Sequence, residues 1–400
     1  MQYQKNQRNN DELSRLGFGC MRFPAKGAGV DEEYAIDLIR KAVAAGINYF
    51  DTAYIYHGGA SESILGKALS DGSREKVKIA TKLPHYLARR NSDLDRIFAT
   101  QLKRLQTSYV DYYLIHMLGD VGIWQRLCDI GIKEWITKKK KQGIIRNIGF
   151  SFHGTPTNFI ALLDIYDWDF TQIQYNYLDT DSQAGKSGLD YAHKKGLPVI
   201  VMEPLRGGKL VTNLSKDVTE LLKEKNISPA ELGLAWVFDQ AEVTVVLSGM
   251  SDYRQLEDNV RYVDLYKPQS LSKDTLRLVE DVKALIMRDI KVPCTACAYC
   301  LPCPQGVDIP GCFAAYNDKY CMKTRMAWVY YLQNTGAASD QAGNAGKCIN
   351  CGACRSRCPQ NIDIPEELKN VRKDMEHLLF KIGAWGMRLV MGNRRKAKSE

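Results

Sequence analysis

Residues 48–56 read Asn48-Tyr-Phe-Asp-Thr-Ala-Tyr-Ile-Tyr56, and the loop His-Gly-Gly-Ala-Ser-Glu62 follows them. The apolar run that ends at Asp51 predicts a buried strand with a carboxylate at its carboxyl end. Enzymes built on parallel strands gather their chemistry at that end, so Asp51 and Tyr56 are the first candidate site residues. An exposed loop acid and a packing tyrosine are the alternative interpretation of these two positions.

On both sides of this stretch, short apolar runs alternate with amphipathic segments from Leu16 to Val263. The alternation predicts a parallel sheet covered by helices, and eight strands are enough to close a barrel. The predicted strands are Leu16–Gly19, Ile47–Asp51, Val77–Thr81, Val110–Ile115, Ile144–Gly149, Thr171–Tyr175, Pro198–Met202 and Val243–Leu247. An open doubly wound sheet is the alternative, but the Gly-x-Gly-x-x-Gly turn that it requires after an early strand is missing.

Between the strands, apolar residues three and four positions apart predict amphipathic helices. The predicted helices are Glu33–Ala45, Ser61–Leu69, Ser92–Leu105, Ile132–Lys141, Pro156–Ile165, Lys186–Lys194, Ser228–Phe238 and Tyr253–Tyr262. Strands and helices together predict an α/β fold, a (β/α)8 TIM barrel followed by a smaller domain, with the active site at the carboxyl ends of the strands.

Length and composition set further limits. Four hundred residues with 45% hydrophobic content suffice for a large core and a second domain. The first ten residues are polar and no run of ~18 apolar residues occurs, so we predict a cytoplasmic protein without a transmembrane segment. The formal charge of +9 is concentrated from Lys369 onward, where nine Lys or Arg face three acids, 9 − 3 = +6. Lys138–Lys141 is typical of a solvated helix end, and we predict no nucleic-acid partner.

Four ionisable side chains fall at the carboxyl ends of three successive predicted strands. Asp51 closes the second strand and Tyr56 follows it, Lys82 comes just after the third, and His116 ends the fourth. Each has an ordinary explanation, such as a surface lysine or a core histidine. Because these strand ends are adjacent in a barrel, we predict that the four form one catalytic site.

From about residue 11 to 265 the sequence resembles the aldo/keto reductases. The resemblance rests on Phe50-Asp-Thr-Ala-x-x-Tyr56, Gly59-x-Ser-Glu62, Leu65-Gly66, Thr81-Lys82, His116, Gly143-x-Ile-Arg-x-Ile-Gly-x-Ser151, Gln172-x-Gln-Tyr-Asn176 and Ser248-Gly-Met-Ser251. By position, the catalytic tetrad of that family falls on Asp51, Tyr56, Lys82 and His116. The resemblance implies NAD(P)H-dependent reduction of a small carbonyl substrate, which the sequence does not identify.

The implied chemistry assigns a role to each member of the tetrad. Hydride transfer to a carbonyl carbon leaves an oxygen that needs a proton, and Tyr56 would supply it as general acid. A phenol has a pKa near 10, so Lys82 would lower that pKa toward the working range. Asp51 would hold Lys82 charged and oriented, while His116 would polarise the carbonyl oxygen.

The same resemblance implies the nucleotide contacts. Ser151 and Gln172 would bind the nicotinamide carboxamide, although Phe152 stands where the family often has Asn. The loop after the seventh strand, with Leu205, Gly207 and Gly208, would cover the pyrophosphate. The adenosine phosphate would meet the start of the last barrel helix, where the implied contacts are Gly249, Ser251, Gln255 and Asn259. Gln255 aligns with an Arg that many members use on the 2′-phosphate, and whether Arg254 substitutes is open, so the cofactor is NADP or NAD.

Ten of the twelve cysteines lie between Cys294 and Cys358, which in a cytosolic chain indicates metal thiolates rather than disulfides. Two runs of Cys-x-x-Cys-x-x-Cys end in Cys-Pro and resemble two-cluster ferredoxins, in which the last cysteine of each run binds the other cluster. The implied ligands of two [4Fe-4S] clusters are Cys294, Cys297, Cys300 and Cys358 for the first, and Cys348, Cys351, Cys354 and Cys303 for the second.

Two alternatives remain for the cysteines. Two zinc sites are possible in principle, but they would need paired Cys-x-x-Cys ribbons rather than three or four thiols in succession. The first run is one residue short before Cys303, so Cys312 or Cys321 could be the partner, or one cluster could be missing. Both extra cysteines otherwise pack on a helix.

The separation of the two runs by helical patterns, Pro310–Gln333 between them and Ile364–Met391 after them, resembles an α-helical ferredoxin domain. We predict a barrel over residues 1–270, a helical linker over 271–290, and a ferredoxin-like domain with a basic tail over 291–400. A hydride carries two electrons and a cluster one, so the nicotinamide cannot feed the clusters directly. Besides an active reductase, an electron-transfer subunit with a redox protein partner and a redox-sensing nucleotide-binding protein therefore stay open, as does the oligomeric state.

Overall fold

The computed structural model of the chain describes every residue except 28, 155, 182, 213, 322–327, 329–330, 333–334, 336–342 and 386–400. The chain divides into two compact units. The first comprises Met1–Leu205 and Ala230–Val279, and the second comprises Arg206–Pro229 and Glu280–Glu400. The domain limits expected at residues 270 and 290 stay a prediction.

Eight parallel strands in the first unit form a closed barrel. They are β1 (Leu16–Gly19), β2 (Tyr49–Asp51), β3 (Lys78–Leu83), β4 (Val110–Ile115), β5 (Ile145–Ser151), β6 (Phe170–Gln174), β7 (Val199–Met202) and β8 (Val243–Ser248). Each strand pairs with the next in sequence, and β8 closes on β1 with Val246 opposite Leu16. The predicted (β/α)8 barrel is confirmed, and each predicted strand overlaps an observed one.

Helices in the described part of the chain belong to both units. They are α1 (Glu32–Ala44), α2 (Ala60–Leu69), α3 (Asn91–Leu105), α4 (Val121–Asp129), α5 (Ile132–Lys141), α6 (Pro156–Ile165), α7 (Gly185–Lys194), α8 (Lys216–Glu224), α9 (Pro229–Phe238), α10 (Tyr253–Leu265), α11 (Lys273–Asp289), α12 (Ile309–Cys321) and α13 (Ile364–Met375). The sequence patterns did not predict α4 and α8. Both begin at a side-chain cap, since Asp120 accepts the Ile123 N–H at 2.8 Å and Ser215 accepts the Val218 N–H at 3.4 Å.

The barrel interior is filled with side chains, so it is a packed core rather than a channel. Tyr49, Tyr112 and Phe170 are fully buried and meet edge to face, with ring centroids 5.2 and 4.9 Å apart. Leu13, from the hairpin Tyr3–Lys5 with Glu12–Ser14, packs into the same cluster. Functional side chains are therefore confined to the ends of the strands.

Helices α2 and α3 approach each other with almost no space between their backbones. A Cβ atom on Gly66 of α2 would lie 2.6 Å from the Arg104 carbonyl oxygen and 2.7 Å from the Leu105 carbonyl carbon. Only glycine allows this contact, because real Cβ atoms do not approach other atoms so closely. The contact fixes the position of α2, which carries Glu62, against α3.

The second unit is helical around its own core, as predicted. Phe313 of α12 and Leu368 of α13 belong to this core. α12, Ile309–Cys321, covers the first part of the predicted helix 310–333, and residues 322–327, 329–330 and 333 lie outside the described residues. The predicted helix 364–391 is interrupted at residues 376–377 and resumes at 378–385; Leu389 and the basic tail lie outside the described residues. Every helix in the described part of the chain is too short or too polar to cross a membrane.

Candidate functional site

The carboxyl ends of β2, β3 and β4 bring the four predicted catalytic side chains to one place. Asp51 is the last residue of β2, Lys82 lies near the end of β3, and His116 directly follows β4. Tyr56 opens the short 3-10 turn Tyr56–Gly59 after β2. Its ring lies edge to face with the His116 ring, at 6.1 Å between centroids. The predicted convergence is thus present in the barrel.

Lys82 is the centre of the site, because its ammonium has three donors and each has an acceptor. Nζ lies 2.5 Å from Asp51 Oδ1, 2.8 Å from the Thr52 carbonyl oxygen and 3.4 Å from Tyr56 Oη. The Lys82 side chain is 1% exposed and the Asp51 side chain 5%. At this distance the buried pair is a charge-assisted hydrogen bond between ammonium and carboxylate. The phenol oxygen accepts from Lys82, which leaves its own O–H to point at a substrate.

Burial dominates the protonation of the tetrad. Burial raises the pKa of Tyr56, the Lys82 ammonium opposes this rise, and the Asp51 carboxylate adds to it. Lys82 therefore acts in the direction expected from the sequence, but the net shift is upward because desolvation of the phenolate costs more. Burial lowers the pKa of Lys82, yet Asp51 and Tyr56 outweigh it and leave that pKa above its usual value. At neutral pH Tyr56 is a protonated phenol beside a cation, which is the form of an acid.

His116 is a neutral imidazole in this environment. Burial, followed by the charge of Lys82, holds the pKa of His116 well below its usual value. His85 after β3 and His153 after β5 act on it in the same direction, and burial lowers the pKa of each of these two to about 4. We call His85, His116 and His153 the rim histidines. A neutral ring donates a hydrogen bond without carrying a charge into the site.

A second network, centred on the fully buried Glu62, lies behind the tetrad. Glu62 of α2 has no exposed side-chain surface, and its Oε1 accepts from Thr81 Oγ1 at 2.7 Å and from Gln101 Nε2 at 2.9 Å. Its Oε2 accepts from Arg104 Nη1 at 3.1 Å. Gln101 Nε2 also lies 3.0 Å from the Lys82 carbonyl oxygen. Sequence analysis did not single out Gln101 or Arg104; the available signal was a glutamine in the apolar stripe of α3.

The predicted nicotinamide contacts lie side by side, since Ser151 of β5 pairs with Gln172 of β6. Gln172 Nε2 donates to Asp51 Oδ2 at 3.1 Å, and its Oε1 is buried with no partner among the described residues. A buried acceptor of this kind fits the N–H group of a carboxamide. Phe152, which replaces the family's Asn, is fully buried and packs on Phe159 with ring centroids 4.9 Å apart.

The predicted adenosine-phosphate residues gather at the start of α10. Gln255 Oε1 accepts from the Ser251 N–H at 3.0 Å, and the Gln255 N–H donates to Asp252 Oδ1 at 2.8 Å. Asn259 is buried and its Nδ2 donates to Ser248 Oγ at 2.7 Å. A Cβ on Gly249 would lie 3.2 Å from Arg22 Cβ. The Asp252 carboxylate caps α10 by accepting the Gln255 N–H. One of the backbone amides expected to face a phosphate is therefore already hydrogen-bonded.

The predicted pyrophosphate loop turns directly after β7. Gly207 and Gly208 have φ of 65° and 93°, which glycine adopts without strain. Leu205 precedes them and closes the first segment of the first unit. Within the second unit, an Arg206 guanidinium N–H donates to the Pro293 carbonyl oxygen at 3.1 Å, and Lys209 Nζ donates to the Cys294 carbonyl oxygen at 3.0 Å.

The two cysteine runs of the second unit have the same backbone shape. Ala296 and Asn350, at equivalent places in the two runs, have φ of 57° and 58°, and Ala298 and Gly352 have φ of 64° and 75°. The Ala296 N–H donates to Cys294 Sγ at 3.4 Å, as the Asn350 N–H does to Cys348 Sγ at 3.5 Å. Left-handed residues cost energy outside glycine, so a shared pattern of them indicates a shared task.

Each predicted ligand set lines one cavity. The first set, Cys294, Cys297, Cys300 and Cys358, lines one cavity. The second set, Cys303, Cys348, Cys351 and Cys354, lines another, with Cys300 at its edge. Four soft thiolates around one cavity are the donor set of an iron–sulfur cluster. Burial raises the pKa of the Cys300 thiol to about 12, so its thiolate needs the positive charge of a metal.

Cys312 and Cys321 are the other two cysteines between the runs. Cys312 is fully buried, its Sγ lies 3.7 Å from Tyr331 Oη, and it lines neither cavity. It is a packing residue, and the Cys321 side chain lies outside the described residues. Within the described residues, no three His, Cys, Asp or Glu side chains are placed to hold one metal ion.

Comparisons with known proteins match both units. The model of the aldo/keto reductase family matches residues 15–274, and that of a 4Fe-4S dicluster domain matches residues 293–363. "Probable aldo-keto reductase 1" of Glycine max is 28% identical over 289 residues, 62% of this chain and 80% of that protein. The "NADH-specific methylglyoxal reductase" of Escherichia coli (strain K12) is 26% identical over 300 residues, 63% of this chain and 90% of that protein. A crystal structure of a thermostable aldo-keto reductase with the inhibitor epalrestat is 26% identical, with a TM-score of 0.58, and covers 70% of this chain and 100% of that one.

Proposed function

The chain belongs to the aldo/keto reductase family of oxidoreductases, and from that premise we propose that it reduces a small aldehyde or ketone with NADPH or NADH, using Tyr56 as general acid. The observation that carries the proposal is the hydrogen-bonded group of Asp51, Lys82 and Tyr56, with His116 against the phenol ring. When bound, the reduced nicotinamide supplies a hydride to the carbonyl carbon. The side chains described above have to bind, orient and protonate the substrate.

Tyr56 and His116 share the carbonyl oxygen in this proposal. Tyr56 donates its O–H proton to that oxygen, and the Lys82 ammonium stabilises the phenolate that remains, because it lies 3.4 Å from Oη. Asp51 keeps Lys82 in place with a contact of 2.5 Å. His116, neutral at pH 7, donates a second hydrogen bond to the same oxygen. The unpartnered Oε1 of Gln172 and the hydroxyl of Ser151 would hold the nicotinamide carboxamide.

Nucleotide choice follows from α10. Gln255 is bound to Ser251 and Asp252, and the Arg254 side chain is 91% exposed and lies 3.9 Å from Asp258. Neither residue offers a fixed guanidinium to a 2′-phosphate, so we propose that NADH and NADPH are both accepted. One relative is named for NADH specificity, which fits the use of NADH. Gly249 and Asn259 complete the proposed nucleotide site within the first unit, and the pyrophosphate contact of Leu205, Gly207 and Gly208 stays a prediction.

The second unit would carry two [4Fe-4S] clusters. Cys294, Cys297, Cys300 and Cys358 would hold one, and Cys303, Cys348, Cys351 and Cys354 the other, because each set lines its own cavity. A cluster exchanges one electron at a time, which suits a redox protein as partner. We therefore propose that the protein combines carbonyl reduction in one unit with an electron-carrying or structural centre in the other, and that it acts in the cytoplasm.

The test is the exchange of Tyr56 for Phe in the protein purified anaerobically with its iron. NADPH or NADH oxidation is followed with a panel of small aldehydes and ketones that includes methylglyoxal. We expect kcat to fall about 10²- to 10⁴-fold, the contribution of a positioned acid, while nucleotide binding is unchanged. Unchanged turnover in Tyr56→Phe, or no turnover in the wild type with any carbonyl, would reject the proposed reaction.

A further inference from the structure

We infer that the buried pair of Glu62 and Arg104 is a positioning device for the proposed reaction, which holds the Tyr56 loop and the Lys82 strand at a fixed separation. Glu62 contacts no substrate in this scheme; it acts through Tyr56 and Lys82. The inference rests on the proposed function for its kinetic part and on the structure alone for its mechanical part.

One oxygen of the Glu62 carboxylate is connected to Lys82. Glu62 Oε1 accepts from the hydroxyl of Thr81, the residue before Lys82, at 2.7 Å. It also accepts from Gln101 Nε2, which lies 3.0 Å from the Lys82 carbonyl oxygen. Gln101 is held in turn at its Oε1 by Tyr113 Oη at 2.7 Å. One carboxylate oxygen therefore holds the Thr81 side chain directly and is connected to the Lys82 carbonyl through Gln101.

The other oxygen of the Glu62 carboxylate is connected to the Tyr56 loop through Arg104. Arg104 Nη1 lies 3.1 Å from Glu62 Oε2 and 3.0 Å from the Tyr54 carbonyl oxygen. The guanidinium carbon stands 4.4 Å from the Tyr54 ring centroid. On the far side of Tyr56, a Cβ atom on Gly59 would lie 2.6 Å from Arg104 Nη2. The planar group thus lies against the loop before and after Tyr56.

Burial makes this connection stiff. The Glu62 side chain has no exposed surface and that of Arg104 is 25% exposed. In such surroundings a charge without its partner is costly, so neither side chain can leave without the other. Proton transfer requires a fixed distance between Tyr56 and Lys82. A misplacement of about 1 Å, even one caused by a change far from the reacting atoms, can lower the rate 10²-fold. A neutral buried pair of the same shape would keep the fold but release the loop.

The test compares four variants of the iron-loaded protein. Glu62→Gln keeps the acceptor for Thr81 and Gln101 but turns an amide N–H toward Arg104. Arg104→Lys keeps the charge of the pair and loses the plane that lies against the loop. Glu62→Gln with Arg104→Met removes both charges. The matched control is Asp111→Asn, a carboxylate 1% exposed and paired with Arg74 at 2.9 Å at the opposite end of β4.

Two measurements are made on each variant. Hydrogen exchange of peptides covering residues 52–59 reports the order of the loop and needs no turnover. Steady-state kinetics separate kcat from KM for the nucleotide. We expect faster exchange in residues 52–59 and a kcat lower by about 10- to 100-fold, with KM within twofold, in all three site variants. Asp111→Asn should lose thermal stability without either change.

Three outcomes would overturn the inference: loop exchange that matches the wild type in Glu62→Gln, an equal loss of kcat in Asp111→Asn, or recovery of kcat in the double variant. If Glu62→Gln does not fold, Arg104→Lys and the double variant decide the question in the same way. A wild type without carbonyl turnover would sink the proposed reaction, whereas the exchange measurement would still test the positioning of the loop.

Discussion

The barrel rim and the cysteine loops both present side chains suited to bind a reactive group, but they are held by different means. At the rim, Lys82 contacts Asp51, the Thr52 carbonyl and Tyr56, so the functional groups hold one another. In the loops, thiols line two cavities and the shaping contacts are backbone N–H groups directed at sulfur, such as that of Ala296 to Cys294. The first site is pre-organised by side chains, the second by backbone around a metal–sulfur group.

The contrast has an energetic consequence. A rim built from mutual hydrogen bonds and a buried ion pair is stable without a ligand, because every donor of Lys82 is satisfied within the protein. Loops that hold Ala296 and Ala298 in the left-handed region carry a cost of about 1–2 kcal/mol per residue, which bonds from sulfur to iron must offset. Removal of the bound group should therefore disturb the second unit far more than the first.

Iron removal should produce the largest effect. Chelation under anaerobic conditions is expected to abolish protection from hydrogen exchange across residues 294–303 and 348–358 and in α12 and α13, while the barrel strands keep theirs. Binding free energy is folding free energy where the site cannot persist without its metal. Exchange measured in parallel on iron-loaded and iron-free protein checks this, and equal protection in the two forms would erase the contrast.

The matched control for that experiment is a pair of cysteines. Cys300→Ser should lower the iron and sulfide content, because Cys300 lines both cavities, whereas Cys312→Ser should leave it at about eight irons per chain, as two cubanes require. Iron loss in the Cys312 variant would reverse the assignment of ligands.

Breaking the rim from within should produce the next largest effect. Lys82→Met leaves the Asp51 carboxylate buried without its cation, and removing one partner of a buried pair costs about 3–5 kcal/mol. Adding Asp51→Asn should restore most of the loss. The control is Lys78→Met at the other end of β3, whose partner Asp11 is 20% exposed, with an expected cost below about 1 kcal/mol. Urea denaturation followed by tryptophan fluorescence measures the free energy of unfolding of the wild type and the three variants. Equal losses of stability in Lys82→Met and Lys78→Met would show that the rim is not pre-organised.

Acid should produce the smallest of the three effects. The folded-state pKa of His153 is about 4, below the unfolded value near 6.5, so the unfolded chain takes up the proton first as pH falls. Its contribution to stability is present above pH 6.5 and is lost progressively between about pH 6.5 and 4, on the order of 1–3 kcal/mol. Thermal unfolding of wild type and His153→Gln across this range gives the difference. A difference in stability between wild type and His153→Gln that does not change with pH would contradict this expectation.

Most of the fold was accessible from the sequence because it depends on local burial. Val110–Ile115 is a continuous buried run and was predicted to the residue. The predicted strand ends also placed Asp51 and His116 where the observed strands end. Helices α4 and α8 were missed because one helix per connection is what the barrel pattern predicts, and their signals were single caps, Asp120 and Ser215.

Two features of the site were beyond sequence reasoning. The network through Gln101 and Arg104 exists only where α2 and α3 meet β3, and no spacing in the chain reveals that meeting. The protonation of Tyr56 depends on the balance between the Lys82 charge and the desolvation of the phenol, which is a property of three-dimensional burial. Residue types and order predicted which groups meet at the end of the barrel, but not how their environment changes their pKa values.

The close contact at Gly66 limits how this protein can change over time. Because its missing side chain lets α2 rest on the carbonyl of Arg104, any larger residue would push Glu62 away from Thr81. A library that randomises position 66 should return glycine alone among active clones, while neighbouring Lys67, half-exposed and paired with Glu32, accepts wide variation. Anyone recruiting this barrel for a new substrate should leave that helix pair untouched and diversify the loops elsewhere.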